Sequence, residues 1–544
     1  MSIVPTASQR LIVELPPDAG LTATELKPLT GLESLFSVAA GGSPAAVSWL
    51  TVTPTSTPRS LHPWDEAHRA LADPAEAGLE RAPAPRYIEP DFVQRFPYEI
   101  QGETPESLEA CRGPCRFRGL DAHWPPAELQ FAWHLADQCS GLRAARDRVG
   151  DPTSRRVRIA HLDTGYDPEH ATLPLHLRLD LQRNFTGGDS FDARDPGRHY
   201  PLSNPGHGTA TLALLAGCKS QLAHSTFDDF LGGAPHADVV PIRIANSVIH
   251  FYTSAMARGI DYAAEAGCDV LSTSMGGLPT RAWATAVNRA YEAGVALFAA
   301  AGNRIGISPP KWIVYPARFR RVVAVCGITA AGTPYYTPGL HGQMQGCFGP
   351  PAKMTTALAA YTPNMPWAAL GCRSLVVHDG AGTSAATPQA AAAAALWLQY
   401  VGPQTVEPWQ RIEAVRHALF TSADKALANG QTYYGQGVLR ARGALDIPFQ
   451  ADLPQTPADS VSFPWLRMAG VLEVDISGRE LMYEVEALQL YEQYLHLQEL
   501  VGDADPATTD LPRQEKKRLF TTMAESPGPS QALRAHLADV VKQL

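Results

Sequence analysis

From Arg156 onward, short apolar runs alternate with stretches of helical period, and this alternation constrains the fold more than any other feature of the chain. The runs "VRIAHLD", "VVPIRI", "DVLSTSM", "VALFAAAG" and "VVAVCGI" are nearly continuous hydrophobic segments of strand length. Between them "TATLALLAG", "AMARGIDYAAEAG" and "TAVNRAYEAG" place apolar residues at helical spacing. A strand that is apolar on both sides must be covered on both faces, which a sheet with one wet face does not provide. The pattern predicts an α/β domain, a doubly wound and mostly parallel sheet with helices on both faces, over residues 131–450.

The flanks differ in character. Residues 1–92 predict a small α+β unit of β-α-β-β-α-β order: strands at 10–15, near Val38, at 47–54 and at 86–91, and helices at 24–36 and 62–72. Residues 93–130 are rich in Pro, Gly and Arg without a sustained period and read as a linker. Residues 451–544 form a largely helical extension, in which 480–501 reads as one long helix. Leu481, Val485, Leu488, Tyr491 and Leu495 line one face, and Tyr483, Ala487, Leu490, Tyr494 and Leu497 widen it. That face needs a cover, first of all the core domain and otherwise a protein partner.

Composition removes several function classes. The 544 residues carry 54 acidic and 45 basic side chains, a net charge of −9, which excludes nucleic-acid or anionic-membrane binding through bulk electrostatics. No apolar run reaches the roughly 18 residues of a membrane span, and no secretion signal is visible. A cytoplasmic location is therefore expected, with secretion through a removed leader left open. Eight cysteines are too sparse for a disulfide scaffold, so reduced thiols are expected. The pair Cys111 and Cys115 in "CRGPC" reads either as a local disulfide or as half a metal site with no second pair at finger spacing.

Three motifs sit where such a sheet displays reactive groups, at strand ends and helix starts. In "VRIAHLDTG" a buried strand delivers Asp163 into a tight turn; alone, an Asp at a strand end is common. In "NPGHGTATLALLAG" His207 opens a helix between two glycines, where a neutral imidazole is favoured and can act as a base; alone, it reads equally well as a packing histidine. In "GAGTSAATPQAAAAAAL" Ser384 sits at a helix start, where backbone N–H groups favour a developing oxyanion; alone, it is an ordinary cap. Asp, His and Ser in that chain order reproduce one of the convergent hydrolytic triads.

Together "DTG", "HGT" and "GTSAATP" resemble the subtilisin-like serine proteases, the subtilases, over about residues 133–445. The resemblance implies a serine endopeptidase with Ser384 as nucleophile, His207 as general base and then acid, and Asp163 orienting His207. Asn303, which ends "VALFAAAGN", matches the family's oxyanion-hole asparagine. Ser274, Met275, Gly276 and Gly277 resemble the strand that pairs with an extended substrate. Ala300, Ala301 and Gly302 would line the pocket for the residue before the scissile bond, and Arg304 beside it would disfavour Lys or Arg there. "GTSAATP" is also similar to the sedolisin serine motif, but "HGTA" supplies His where sedolisins use Glu.

The resemblance requires no cofactor and assigns no metal ligand. The segment after the His207 helix lacks the Asn-rich calcium loop of secreted subtilisins, with Asp228 and Asp229 as the carboxylates left there, so a structural calcium ion is unsupported. The N-terminal unit and its ending "YIEPD" (residues 87–91) are similar to a subtilase propeptide. That implies an intramolecular inhibitor that keeps the enzyme latent until cleavage near Asp91. Expected partners are a protein or peptide substrate, the chain's own N-terminal domain and a protein bound by the C-terminal helices. The alternative function is an inactive protease-like scaffold that uses those helices.

Overall fold

A computed structural model describes residues 10–16, 19, 21–26, 31–36, 48–54, 62–79, 82–94, 131–197, 205–222, 227–248, 250–305, 312–336, 344–467, 476–502, 504–506 and 509–544. The expected strand near Val38, the pair Cys111 and Cys115, and nearly all of the 93–130 linker lie outside the described residues.

The N-terminal unit follows the expected order: β1 (Leu11–Glu14), α1 (Ala23–Leu26), β2 (Leu32–Ser34), β3 (Trp49–Val52), α2 (Pro63–Ala72) and β4 (Tyr87–Pro90). Its antiparallel sheet runs β2-β3-β1-β4, with Val13 opposite both Leu50 and Ile88. The second strand starts at Leu32, inside the stretch that the sequence suggested as helix, because Gly31 turns the chain at φ 82° and α1 stops at Leu26. All four residues of β3 and of β4 are buried. A sheet so buried is covered on both faces, and the second cover is the core domain.

A short strand β5 (Val93–Gln94) leads out of this unit. The core sheet comprises β6 (Arg158–Asp163), β7 (His176–Leu177), β8 (Arg183–Asn184), β9 (Asp238–Arg243), β11 (Val270–Thr273), β12 (Ala296–Ala300), β14 (Val322–Ile328) and β16 (Ala357–Tyr361); β10 (Phe251–Tyr252) pairs instead with β5. Its strands order as β16-β14-β12-β11-β6-β9-β7, with β8 also on β9, and every pair is parallel. Two hairpins decorate it: β13 (Asn303–Ile305) with β15 (Met344–Gly346), and β17 (Met365–Ala368) with β18 (Val376–Gly380).

Helices α3 (Leu142–Val149), α4 (His207–Ala216), α5 (Thr253–Glu265), α6 (Arg281–Glu292), α7 (Pro351–Met354), α8 (Gly382–Val401), α9 (Pro408–Ser422), α10 (Gly430–Tyr434) and α11 (Ala441–Ala444) surround the sheet. The doubly wound α/β expectation holds. The first seventeen residues of α8, Gly382 to Leu398, are all buried, and it packs on β11, β12, β14, β16 and α4. Its alanines make that approach possible: a Cβ added to Gly233 would lie 2.7 Å from the Ala392 methyl.

The extension is bolted to the core before its helices begin. The Asp459 carboxylate accepts from the backbone N–H groups of Arg320 at 2.7 Å and Arg321 at 3.0 Å. Then follow α12 (Gly478–Gln493), α13 (Leu495–Glu499), α14 (Arg513–Glu525) and α15 (Gln531–Gln543). The single helix expected over 480–501 is thus two. Tyr494 is extended at φ −105° and ψ 105°, and the Gln498 amide takes the carbonyls of Tyr491 at 2.9 Å and Glu492 at 3.2 Å that a continuing helix would have used. The apolar face of α12 meets α2 and β4 of the N-terminal unit, and Tyr491 packs on Trp312 of the core.

Among the described residues no helix is long and apolar enough to cross a membrane. Cys139, Cys218, Cys268, Cys326 and Cys347 are free thiols, but Cys372 is disulfide-bonded, which corrects the expectation of reduced cysteines throughout. Bridging depends on Cα atoms brought within about 7 Å by the fold, and spacing along the chain does not report that.

Candidate active site

Strand β6 lies at the middle of the sheet and ends at Asp163, where Gly165 turns the chain at φ 110°. Helix α4 starts at His207 directly against this turn. A Cβ on Gly208 would stand 2.1 Å from the Gly165 carbonyl oxygen, and Gly208 N–H donates to Thr164 Oγ1 at 3.0 Å. The two short motifs are therefore halves of one contact that only glycine permits. It sets the Asp163 carboxylate beside the imidazole, and Oδ1 accepts from His207 Nδ1 at 2.7 Å and from Thr164 N–H at 2.7 Å.

The other carboxylate oxygen is held from below. Thr211 Oγ1 donates to Asp163 Oδ2 at 2.9 Å, and His161 Nε2 lies 2.9 Å from that same hydroxyl. Burial pushes the His161 imidazole down to about 4, so it is neutral at physiological pH; with the one Thr211 proton directed at Asp163, the imidazole Nε2–H is the donor to that hydroxyl. Burial alone would raise the Asp163 carboxyl, but the charge and hydrogen bond of His207 outweigh it and hold the group below the usual carboxylate range. A carboxylate that stays ionised fixes the imidazole with Nδ1 protonated, which leaves Nε2 as the basic nitrogen. Trp367 packs edge-on against His207 with ring centroids 5.6 Å apart.

Ser384 reaches the site at the start of α8. Gly382 turns at φ 78°, and Thr383 N–H donates to Asn303 Oδ1 at 2.8 Å, which ties the start of β13 to the first turn of α8. The buried strand stops at Ala300, so Asn303 opens a short hairpin strand where the sequence suggested the end of β12. Ser384 Oγ donates to the Ser274 carbonyl at 3.2 Å, and Ser274 Oγ donates back to the Ser384 carbonyl at 2.9 Å. The second contact explains how Pro388 is tolerated well inside the helix. Pro388 has no N–H for the carbonyl four residues earlier, and the Ser274 hydroxyl takes its place.

Ser274 to Gly277 continue beyond β11, and Gly277 exchanges backbone hydrogen bonds with Tyr315 at 2.7 and 3.2 Å. Ala300 ends β12, the Ala301 carbonyl accepts from Val314 N–H at 3.0 Å, and Gly302 turns at φ 99°. Val314 is the residue that sequence reasoning missed. A Cβ on Gly276 would meet its Cγ2 at 2.4 Å and one on Gly302 its Cγ1 at 2.8 Å, so this side chain fills the space between the two segments. "WIVYP" carries no motif that signals such a role. Arg304 belongs to β13, opposite Gln345, and its charge acts on Glu492 of α12.

The carboxylates considered for calcium are taken by cations. Asp228 pairs with Lys219 at 3.0 Å, and Asp229 with Arg146 at 2.5 Å and Arg143 at 3.0 Å. Among the described residues one other group, Asp151, His176 and His236, brings three ligand atoms within 4.8 Å of one another. Arg156 already holds Asp151 at 2.8 Å, and no sequence spacing announced the cluster.

The N-terminal unit docks on the starts of α5 and α6, whose first N–H groups need acceptors. Glu89 accepts from Arg281 and Ala282 N–H, both at 3.0 Å, and Asp91 accepts from Ser254 N–H at 2.9 Å. Arg10 pairs with Asp91 at 2.7 Å, and Tyr87 donates to Glu89 at 2.9 Å. Burial pushes the Glu89 carboxyl up to about 7, against the pull of these hydrogen bonds. Beyond β4, Gln94 Oε1 accepts from Leu278 N–H at 2.9 Å, so the chain leaves the unit beside Gly277.

The Subtilase family profile matches residues 154–438. Subtilisin DY from Bacillus licheniformis is 28% identical over 291 residues, which cover 53% of this chain and 90% of that protein. Subtilisin E from Bacillus subtilis (strain 168) is 26% identical over 294 residues, covering 54% of this chain and 66% of that protein. Among solved structures, fervidolysin from Fervidobacterium pennivorans, described as a keratinolytic enzyme related to subtilisin, superposes with a TM-score of 0.54 at 18% identity. That superposition covers 83% of this chain but only 62% of fervidolysin.

Proposed function

Because the chain belongs to the subtilase family of serine endopeptidases, we propose that it hydrolyses peptide bonds through an acyl-enzyme on Ser384. In this reading His207 takes the Ser384 proton and returns it to the leaving amine, while Asp163 holds the imidazole and stabilises its cation. The Ser384 N–H and the Asn303 side-chain amide receive the developing oxyanion. Asn303 Oδ1 already accepts from Thr383 N–H, and this favours Nδ2 as the donating end. The observation that carries the reading is the 2.7 Å bond between His207 and a buried, ionised Asp163. A fluorophosphonate probe tests it: labelling that disappears in Ser384→Ala is expected, and no labelling of any processed form would refute it.

The substrate is a protein or peptide bound along Ser274 to Gly277. Val314 between Gly276 and Gly302 supports a preference for a small side chain before the scissile bond, more directly than the repulsion by Arg304 does. Cleavage profiling on a peptide library is expected to favour Ala or Ser there and to disfavour Lys and Arg. A profile led by Phe, Tyr or Arg would overturn it.

Residues 1–92 are proposed to keep the enzyme latent. Support comes from Glu89 and Asp91 capping α6 and α5 and from the exit of the chain beside Gly277. Intact mass of wild type and Ser384→Ala before and after incubation tests this. An unchanged wild-type mass under every condition, together with full initial activity, would remove it.

A further inference from the structure

We propose that the C-terminal helices are a docking surface for the chain's own N-terminal unit, a clasp that retains the unit after the connection between them is cut. The inference rests on the latency reading only for its consequence, not for the binding itself. Helices α12 to α15 lie outside the matched span 154–438, so the protease domain does not account for them.

One side chain joins all three parts of the molecule. Trp64 Nε1 of α2 donates to Gln489 Oε1 at 3.0 Å, and Gln489 Nε2 donates to the Pro279 carbonyl at 2.8 Å, all of it buried. Pro279 follows the substrate-pairing segment by two residues, so the amide links the N-terminal unit, the extension and the rim of the site. The backbone fits as closely, since a Cβ on Gly478, the first residue of α12, would meet the Arg86 carbonyl oxygen at 1.7 Å.

A second set of contacts reaches α15. Asp65 of α2 accepts from Ala532 N–H at 3.2 Å, a carboxylate at the start of a 13-residue helix, and His62 Nε2 meets the Gly528 carbonyl at 2.8 Å. The His68 ring packs on Tyr483 at 4.8 Å, and Tyr483 stacks on His536 at 4.2 Å. Glu486, buried beneath, accepts from Ser530 N–H at 2.6 Å and Ser530 Oγ at 2.8 Å, which fixes α15 to α12. The other end of α12 is anchored to the core, where Glu492 pairs with the buried Arg318 at 2.7 Å.

Each contact on the N-terminal unit persists when the chain is cut beyond Gln94. The cut alone therefore leaves the fragment seated on two surfaces, the starts of α5 and α6 and the clasp. Release requires both to let go.

The test uses the full chain as Ser384→Ala with a recognition sequence for a site-specific protease placed within 95–130. After cutting and dilution, release of the N-terminal fragment is followed by size exclusion and native mass spectrometry. The fragment is expected to stay bound, and Asp65→Ala and Gln489→Leu each to speed release by about tenfold, the factor set by one hydrogen bond to the fragment. A circular dichroism melt of each uncut variant confirms folding, and Asp65→Ala, on the half-buried rim, keeps the test informative if Gln489→Leu fails to fold. Release at an unchanged rate in both variants, or immediate release from the parent, would overturn the clasp. The same cut in the Ser384 chain reads latency separately: full activity with the fragment still bound would sink inhibition and leave the clasp standing.

Discussion

Raising the pH from 4.5 to 8 is expected to loosen the N-terminal unit, and Glu89 is the reason. The docked carboxyl is fully buried, accepts from the Tyr87 hydroxyl and from the Arg281 and Ala282 N–H groups, feels the Arg281 charge, and is pushed up to about 7 from an ordinary 4.5. Between those values the docked form keeps its proton while the released form has lost it, so docking weakens as pH climbs and levels off above about 7. A difference of about 2.5 pH units at about 1.4 kcal/mol each bounds the effect at about 3–4 kcal/mol, on the order of a few hundredfold in affinity. Asp91, raised by burial against the pull of Arg10 and Ser254, acts in the same direction. The assay is fragment release from cut Ser384→Ala chain at stepped pH. Glu89→Gln, a neutral isostere, is expected to give a shallower dependence with the remainder due to Asp91. A release rate that is flat or falls with rising pH, or an unchanged slope in Glu89→Gln, would refute the reasoning.

Other outcomes follow from the site. Gly208→Ala places a methyl against the Gly165 carbonyl and is expected to cost about 1–3 kcal/mol of stability and most of the activity, read by thermal melting and probe labelling. Asp163→Asn is expected to lower kcat by about 10⁴-fold with Ser384 still present, through loss of the correct imidazole tautomer; a loss under tenfold in steady-state assay would contradict the assignment. Thr211→Val removes a buried hydrogen bond to an ionised carboxylate, worth about 1.5–3 kcal/mol, and is expected to lower kcat/KM at least tenfold while Thr211→Ser retains it. Val314→Gly is expected to move peptide-library preference toward larger residues before the scissile bond, and an unchanged profile would remove Val314 from the pocket.

How much was legible depended on whether a signal was local. The apolar runs announced their strands because parallel strands are buried on both faces, and Asp163, His207 and Ser384 stood in motifs whose glycines and alanines serve close packing. Asn303 was readable from the buried strand before it, although that strand stops at Ala300 and Asn303 opens β13. Val314 was not, because its role arises from its neighbours across space, Gly276 and Gly302. The division of the 480–501 helix was hidden for a similar reason: Tyr494 has no helix-breaking chemistry of its own, and the competing donor is the Gln498 side chain. The partner of the wide apolar face was also hidden, since Trp64 and Gln489 lie more than 400 residues apart. The disulfide at Cys372 likewise needed three-dimensional proximity.

Helix α8 has one further consequence, for how this protein can change over generations. Its first seventeen residues are buried against four strands and a second helix, and its first turn carries Ser384. A substitution anywhere along the alanine run that adds volume must displace the whole rod, because the neighbouring strands leave it no room to bend. The Ser384 hydroxyl would shift with it. Positions 390–395, far from any substrate, should accordingly be as intolerant of variation as the site itself, and new specificities must arise from the loops around Val314 and from the hairpins instead.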